Sequence, residues 1–196
     1  MGKVLFDTSL NKKNIAQRDF FLNKIKRYKQ PATSTVLEVG IGNGRFVILL
    51  ADHFREYWGI DNDSEYINAA KANTKEIRNL HLQLGKAESI PFKQRFDIIL
   101  FINSWHFTDN EKALGEVKKA IKKDGIVFIS EPTKDSKFAA SVLQKEHPDF
   151  DEKKFNLKLK RLEKAASFLE EQNYFEIVEE GMQNDTNSRY WILKQK

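Results

Sequence analysis

The 196-residue sequence predicts an α/β protein: a doubly wound, mostly parallel sheet with helices on both faces. Three features carry that prediction. Strand-like and helix-like segments alternate for five units, the pattern of parallel strands joined by right-handed crossovers. One segment, Phe96–Ile102 (FDIILFI), is apolar almost throughout, as a strand covered on both faces must be. The chain then closes with two strand-like segments around Asn184-Asp185-Thr186-Asn187, which adds an antiparallel pair.

In chain order, residues 12–29 read as a helix, with Phe21, Leu22, Ile25 and Tyr28 at helical spacing. Pro31 ends it, because the residue before a proline avoids helical backbone. Ser34–Gly40 (STVLEVG) is β-branched and apolar and reads as a buried strand. Arg45–His53 is a helix, Tyr57–Asp61 a second strand, and Asn62–Thr74 a helix with Asn62 or Asp63 as its N-cap. His81–Leu84 is a short third strand and Phe96–Ile102 the fourth. Glu111–Lys122 is helical through Leu114, Val117 and Ile121, and Asp124-Gly125 turns into a fifth strand, Ile126–Ser130. Polar helices follow near 134–146 and 151–172, then strands at about 174–181 and 188–194.

At roughly 100–200 residues per domain, 1–196 is a single domain. With no cysteine there is no disulfide scaffold, no thiolate metal site and no cysteine nucleophile. Neither an apolar run long enough for a membrane span nor a signal-peptide core at Met1–Leu10 is present, so a cytoplasmic protein is expected. The net charge of +5 is unevenly spread. Residues 1–30 hold eight Lys/Arg and two acids, whereas the rest holds 25 basic and 26 acidic side chains. The basicity belongs to one N-terminal segment. It reads either as an attraction for an acidic partner or as a solvated lysine-rich helix face.

In doubly wound sheets the ligand lies beyond the carboxyl ends of the strands. The first strand runs into Glu38-Val39-Gly40-Ile41-Gly42-Asn43-Gly44-Arg45. Glycines let the backbone turn tightly and approach a ligand closely. The dinucleotide fingerprint requires Gly-x-Gly-x-x-Gly, and here Arg45 stands at the sixth position. An acid two residues before the first glycine suits a ligand carrying an ammonium group and would repel a pyrophosphate. Asp61, at the tip of the second strand, is placed either to accept from two ribose hydroxyls or to cap the following helix.

These residues resemble the class I S-adenosylmethionine-dependent methyltransferases. VLEVGIGNGRF is similar to their first motif and WGIDND to their second-strand acid. LGKAESIPF resembles their Gly-Asp-Ala-Glu-x-Leu-Pro-Phe stretch, RFDIILFINSWHF their fourth strand and its loop, and ALGEVKKAIKKDGIVFISEP the following helix and fifth strand. The likeness covers about 35–132 and is nearest to small-molecule enzymes of the ubiquinone/menaquinone-biosynthesis type. It implies a seven-stranded sheet of order 3-2-1-4-5-7-6 with an antiparallel last strand. It also implies S-adenosyl-L-methionine as cofactor. Glu38 would lie near the methionine amino end, with Gly40, Gly42 and Gly44 as the floor. Asp61 would hold the ribose, Asn62, Ala87 and Glu88 would lie by the adenine, and Asn103 would join the cofactor site. Where the family often has an aspartate that accepts from the adenine amino group, this chain has Lys86, which cannot accept. Glu88 or a backbone carbonyl then takes that place.

Methyl transfer from a sulfonium is an in-line displacement in which the protein chiefly positions and desolvates. A base is needed only when the acceptor must lose a proton. His106, in the loop after the fourth strand, is either that base or a histidine that anchors backbone. Trp105 and Phe107 read as pocket wall or core, and Glu131 as an acceptor ligand or a bond to the neighbouring loop. No metal site is expected. The resemblance assigns the acceptor cover to residues 1–30, a helical lid, and to a helical insertion at 133–172. Phe6, Phe20, Phe21 and Tyr28 either cap an apolar or planar acceptor or pack as an ordinary helix stripe, and adjacent Phe20 and Phe21 are not expected to face inward together. The acceptor expected is a small molecule, anionic or apolar, on a monomer or homodimer. RNA or protein methylation, a nicotinamide oxidoreductase and a non-catalytic cofactor-binding module are the rival readings.

Overall fold

A computed structural model describes residues 9–134 and 151–196. Phe6 and most of the helix expected near 134–146 lie outside those residues. Seven strands form one sheet in the order β3-β2-β1-β4-β5-β7-β6. They are β1 (Thr35–Val39), β2 (Glu56–Asp61), β3 (Leu80–Leu84), β4 (Phe96–Ile102), β5 (Ile121–Pro132), β6 (Phe175–Gln183) and β7 (Ser188–Gln195). β1 to β5 pair in parallel, and β7 runs antiparallel to both β5 and β6.

Two apolar layers sandwich the sheet. On one face Val36, Ile98, Leu100 and Phe128 meet Phe21, Leu22 and Ile25 of α1 (Lys12–Ile25), Val47 and Leu50 of α2 (Arg45–Leu50) and Ile67 and Ala70 of α3 (Ser64–Asn73). On the other, Leu37, Ile99, Phe101 and Val127 meet Leu114 and Val117 of α4 (Asn110–Ala120) and Ala165 and Leu169 of α5 (Glu152–Glu171). Val36 and Leu37, or Ile98 and Ile99, go to opposite layers because successive strand side chains alternate. That two-sided demand is why β4 has almost no polar residue.

Element ends differ from the sequence reading for identifiable reasons. α1 stops at Ile25, short of 29, because its last turn tightens: Tyr28 N–H bonds the Ile25 carbonyl and Arg27 N–H that of Lys24. α2 ends at Leu50 and continues as a 3-10 turn, Ala51–His53. β5 begins five residues early. Phe96 pairs with Ile121 but Ile98 with Ile126, so Lys122–Gly125 bulge out of the ladder. The caps are local: Asn11 accepts from Asn14 N–H, Asp63 from Glu65 N–H and Asp109 from Lys112 N–H. Among the described residues no helix is long and apolar enough to cross a membrane.

Candidate active site

The site is built where β1, β2 and β4 end. After Val39 the chain passes three glycines at φ +80°, +53° and +82°. Gly40 admits no side chain: a Cβ there would lie 2.5 Å from the Ser104 Cβ. Ser104 in turn donates its hydroxyl to the Val39 carbonyl at 2.5 Å, so the tips of β1 and β4 are tied together. Asn103 beside it holds φ +57°, left-handed backbone for a residue with a side chain. Gly44 serves packing instead. It begins α2, and a Cβ would press on Thr74 at 3.2 Å and Ala70 at 3.3 Å, so its absence lets α3 approach. Gly44, expected in the cofactor floor, is not among the residues lining the cavities described next.

A cavity of about 520 Å³ lies above the strand ends, lined by Gly40, Gly42, Asp61, Asn62, Ala87, Glu88 and Asn103, with Asp63, Tyr66, Ser104, Phe107, Thr108 and Lys158 among its other walls. The Asp61 carboxylate is buried and aimed by two backbone donors, Gly42 N–H at 2.9 Å and Asp63 N–H at 3.0 Å. Each oxygen keeps a further lone pair. The helix cap falls to Asp63, leaving Asp61 to the cavity. Glu88 accepts from Asp109 N–H at 2.8 Å, which ties the cavity wall to the start of α4.

A smaller cavity of about 70 Å³ shares Gly40, Gly42 and Asn103 and adds Glu38, Asn43, Arg45 and Phe46. Glu38 is fully buried and accepts from the Tyr57 hydroxyl at 2.7 Å. Burial pushes its carboxyl up to about 8; the Tyr57 bond pulls it down and the Asp61 charge adds to the rise. Arg45 is held by two buried amides of α1, bonding Asn14 at 2.6 Å and also Gln17. Sequence reading used Arg45 only to argue against a dinucleotide, and missed that α1 positions it. The signal was there as two polar residues on the buried face of a helix.

The loop after β4 forms a 3-10 turn, Trp105–Phe107. Glu131, at the end of β5, clamps it: one oxygen accepts from Trp105 N–H at 2.6 Å and His106 N–H at 3.3 Å, the other lies 2.5 Å from His106 Nδ1. Both side chains are buried, and His106 Nε2, itself buried, has no hydrogen-bond partner among the described residues. Of the two roles open to Glu131, the bond to the loop is the one formed.

Five side chains weighed as acceptor contacts are engaged elsewhere. Trp105 is core, edge-on to Phe101 at 5.0 Å, with its indole N–H toward the Ala165 carbonyl of α5 at 3.4 Å. Phe21 is buried against Phe46 and Phe128, and Phe20 packs on the same cluster from its partly buried position, so both adjacent rings contribute to the core. Tyr28 donates its hydroxyl to Glu179 at 2.9 Å. Glu131 is spent on the loop. The aromatics on the larger cavity are Tyr66 and Phe107, the latter 63% exposed. The basic segment is also reassigned. Lys24 and Arg27 both meet Glu179 of β6 at 2.8 Å, and Lys29 meets Asp124 at 2.7 Å, at the foot of β5. Glu179 is on the edge strand β6 and Asp124 in the bulge at the start of β5, and neither lines the cavities above.

Residues 31–194 match the model of a methyltransferase domain family. An uncharacterized methyltransferase of Bacillus subtilis is 35% identical over 105 residues, covering 52% of this chain and 42% of that protein. One from Staphylococcus carnosus is 30% identical over 130 residues, covering 63% and 61%. The matches thus span about half the length of these relatives. Among solved structures, a SAM-dependent methyltransferase from Aquifex aeolicus superposes with a TM-score of 0.67 at 17% identity, covering 96% of this chain and 98% of that one. The fold, the strand order and the family match agree, and the chain belongs to the methyltransferase domain family.

Proposed function

We propose that this chain transfers a methyl group from S-adenosylmethionine to a small-molecule acceptor, with His106 as the base that takes the acceptor's proton. The observation that carries the reading is the pair of adjoining cavities at the ends of β1, β2 and β4, walled by Glu38, Gly40, Gly42, Asp61, Asn62, Ala87, Glu88 and Asn103. Those walls suit the cofactor chemically. Asp61 offers its remaining lone pairs to vicinal hydroxyls. On the small cavity Arg45 offers a positive charge to a carboxylate, and the Glu38 carboxyl, held neutral by burial, offers an oxygen that can accept from an ammonium. Asn62, Ala87 and Glu88 flank the base side, and Lys86 is not among the lining residues. When bound, the cofactor supplies a methyl group already activated on a sulfonium.

The chain's own task is then to position, dry and deprotonate. The Glu131 contact at Nδ1 fixes the His106 ring; with that nitrogen donating, Nε2 is left as the proton acceptor. Incubation with methyl-labelled S-adenosylmethionine and a panel of small acceptors tests the reading. Label is expected in a small molecule, and His106→Asn should lower turnover about 10²–10⁴-fold without changing cofactor affinity. Label appearing only in RNA or protein, or cofactor binding with no transfer to any acceptor, would overturn it.

A further inference from the structure

We infer that the acceptor is a flat ring with polar substituents, that it docks in a groove between the loop after β4 and α5, and that Phe107 is the partition that turns aside to admit it. The inference rests on the methyltransferase reading above, with His106 as base, and adds the acceptor's place and shape. The groove has a volume of about 560 Å³, and its walls include His106, Phe107 and Thr108 from the loop and Arg161, Lys164 and Phe168 from α5. Phe107 and Thr108 also wall the larger cavity, so the two spaces adjoin across them. A methyl acceptor must reach the cofactor on one side and the base on the other. This junction is where both conditions meet.

The junction is closed in this structure. His106 is 4% exposed, and its buried Nε2 has no hydrogen-bond partner among the described residues. A proton acceptor must come within hydrogen-bond reach of the proton it takes, so something has to move. The Phe107 ring lies against the imidazole, with 3.9 Å between centroids. Of these two rings the imidazole is the fixed one, because Glu131 holds its Nδ1 and the His106 N–H. Phe107 is anchored through its backbone, whose N–H bonds the Ser104 carbonyl at 3.1 Å, while its side chain stands mostly in solvent. Exposed side chains change rotamer quickly, so the ring turns without the loop. With it aside, the two spaces join beside His106, with Phe107 and Phe168 as aromatic walls. Ring faces favour a flat guest, and Arg161 and Lys164, on the same wall as Phe168, offer hydrogen bonds to its polar substituents.

The test treats the full chain, saturated with S-adenosylhomocysteine, with diethyl pyrocarbonate, which acylates accessible neutral imidazole; peptide mass mapping resolves each histidine. His106 should react at least about tenfold more slowly than the exposed His53. Phe107→Ala removes an exposed ring at little cost to the fold and should speed His106 modification by about fivefold or more. 2-Naphthol, a flat ring bearing a hydroxyl, should bind and slow modification of His106 in that variant. In the wild type it should bind about threefold or more tightly than decahydro-2-naphthol, which has the same skeleton but is not flat. Phe168→Leu keeps apolar volume and should lower that preference. The inference is overturned by a wild-type His106 as reactive as His53, by a His106 still inert in Phe107→Ala, or by 2-naphthol that fails to bind or binds without shielding His106. Equal affinity for the two alcohols, or a preference untouched by Phe168→Leu, overturns it as well. If S-adenosylhomocysteine itself does not bind, the underlying methyltransferase reading fails instead.

Discussion

Glu38 is a carboxyl group taken out of water and given one hydroxyl partner, Tyr57. Its native pKa of about 8 against 4.5 for an ordinary glutamate has a definite consequence. Between those values the native state binds a proton that the unfolded chain has lost. Stability therefore falls as pH rises through that window, by up to about 1.4 kcal/mol per pH unit, and levels off above it. Glu38→Gln keeps the neutral form. Its thermal midpoint should equal the wild type near pH 4.5, exceed it progressively toward pH 8, and hold a constant lead beyond. A lead that does not change with pH between 5 and 8 would show that Glu38 is ionised in the native protein. Gly40 makes the complementary point about space. Gly40→Ala meets both a left-handed backbone and Ser104, and should cost roughly 1–3 kcal/mol in chemical denaturation.

At the scale of elements, α1 is fastened at both ends to different things. Asn14 and Gln17 near its start hold Arg45 at the small cavity; Lys24, with Arg27 and Tyr28 just beyond its end, surrounds Glu179. Burial alone would raise the Glu179 pKa, but hydrogen bonds from Lys24, Tyr28 and Tyr190 outweigh it and hold the carboxylate low. Removing it strips four donors of one acceptor. Glu179→Ala should lose on the order of 2 kcal/mol by urea denaturation while cofactor affinity stays put. Unchanged stability would mean the cluster is solvated rather than structural. The loop clamp is the second element-scale device. Glu131→Ala frees two backbone donors and the His106 ring together, and should lower turnover far more than it raises the cofactor dissociation constant; an equal effect on both would assign Glu131 to cofactor binding.

Across the whole molecule, legibility followed distance along the chain. The glycine loop, Asp61 and the Ala87–Glu88 wall were readable because each lies within a few residues of its own strand end, where alternation of strand and helix already puts the ligand. The Glu131 clamp joins residues 25 positions apart in sequence. The acid that meets Lys24 lies 155 positions away. Composition cannot say which acid a lysine will meet, so the basic excess of residues 1–30 reads as a lid charge, while in the fold Lys24 and Arg27 pair with Glu179 of β6 and Lys29 with Asp124 of β5. Glutamine at Lys24, Lys26, Arg27 and Lys29 should accordingly lower the thermal midpoint and leave acceptor affinity unchanged. Lys158 lines the larger cavity from α5, and on a helix rich in lysine and glutamate nothing in the sequence marks which residue turns toward it. Trp105 was readable as pocket wall or core, and only the fold decides for core, with α5 bonding its indole through the Ala165 carbonyl.

The account stands on the cavity at the ends of β1, β2 and β4 being a cofactor site, and titration calorimetry with S-adenosylhomocysteine tests that most directly. One molecule is expected to bind per chain, and Asp61→Ala, which removes the acceptor for the ribose hydroxyls, should weaken it by about tenfold or more. Absence of binding, or an Asp61→Ala variant that binds like the wild type, would contradict it.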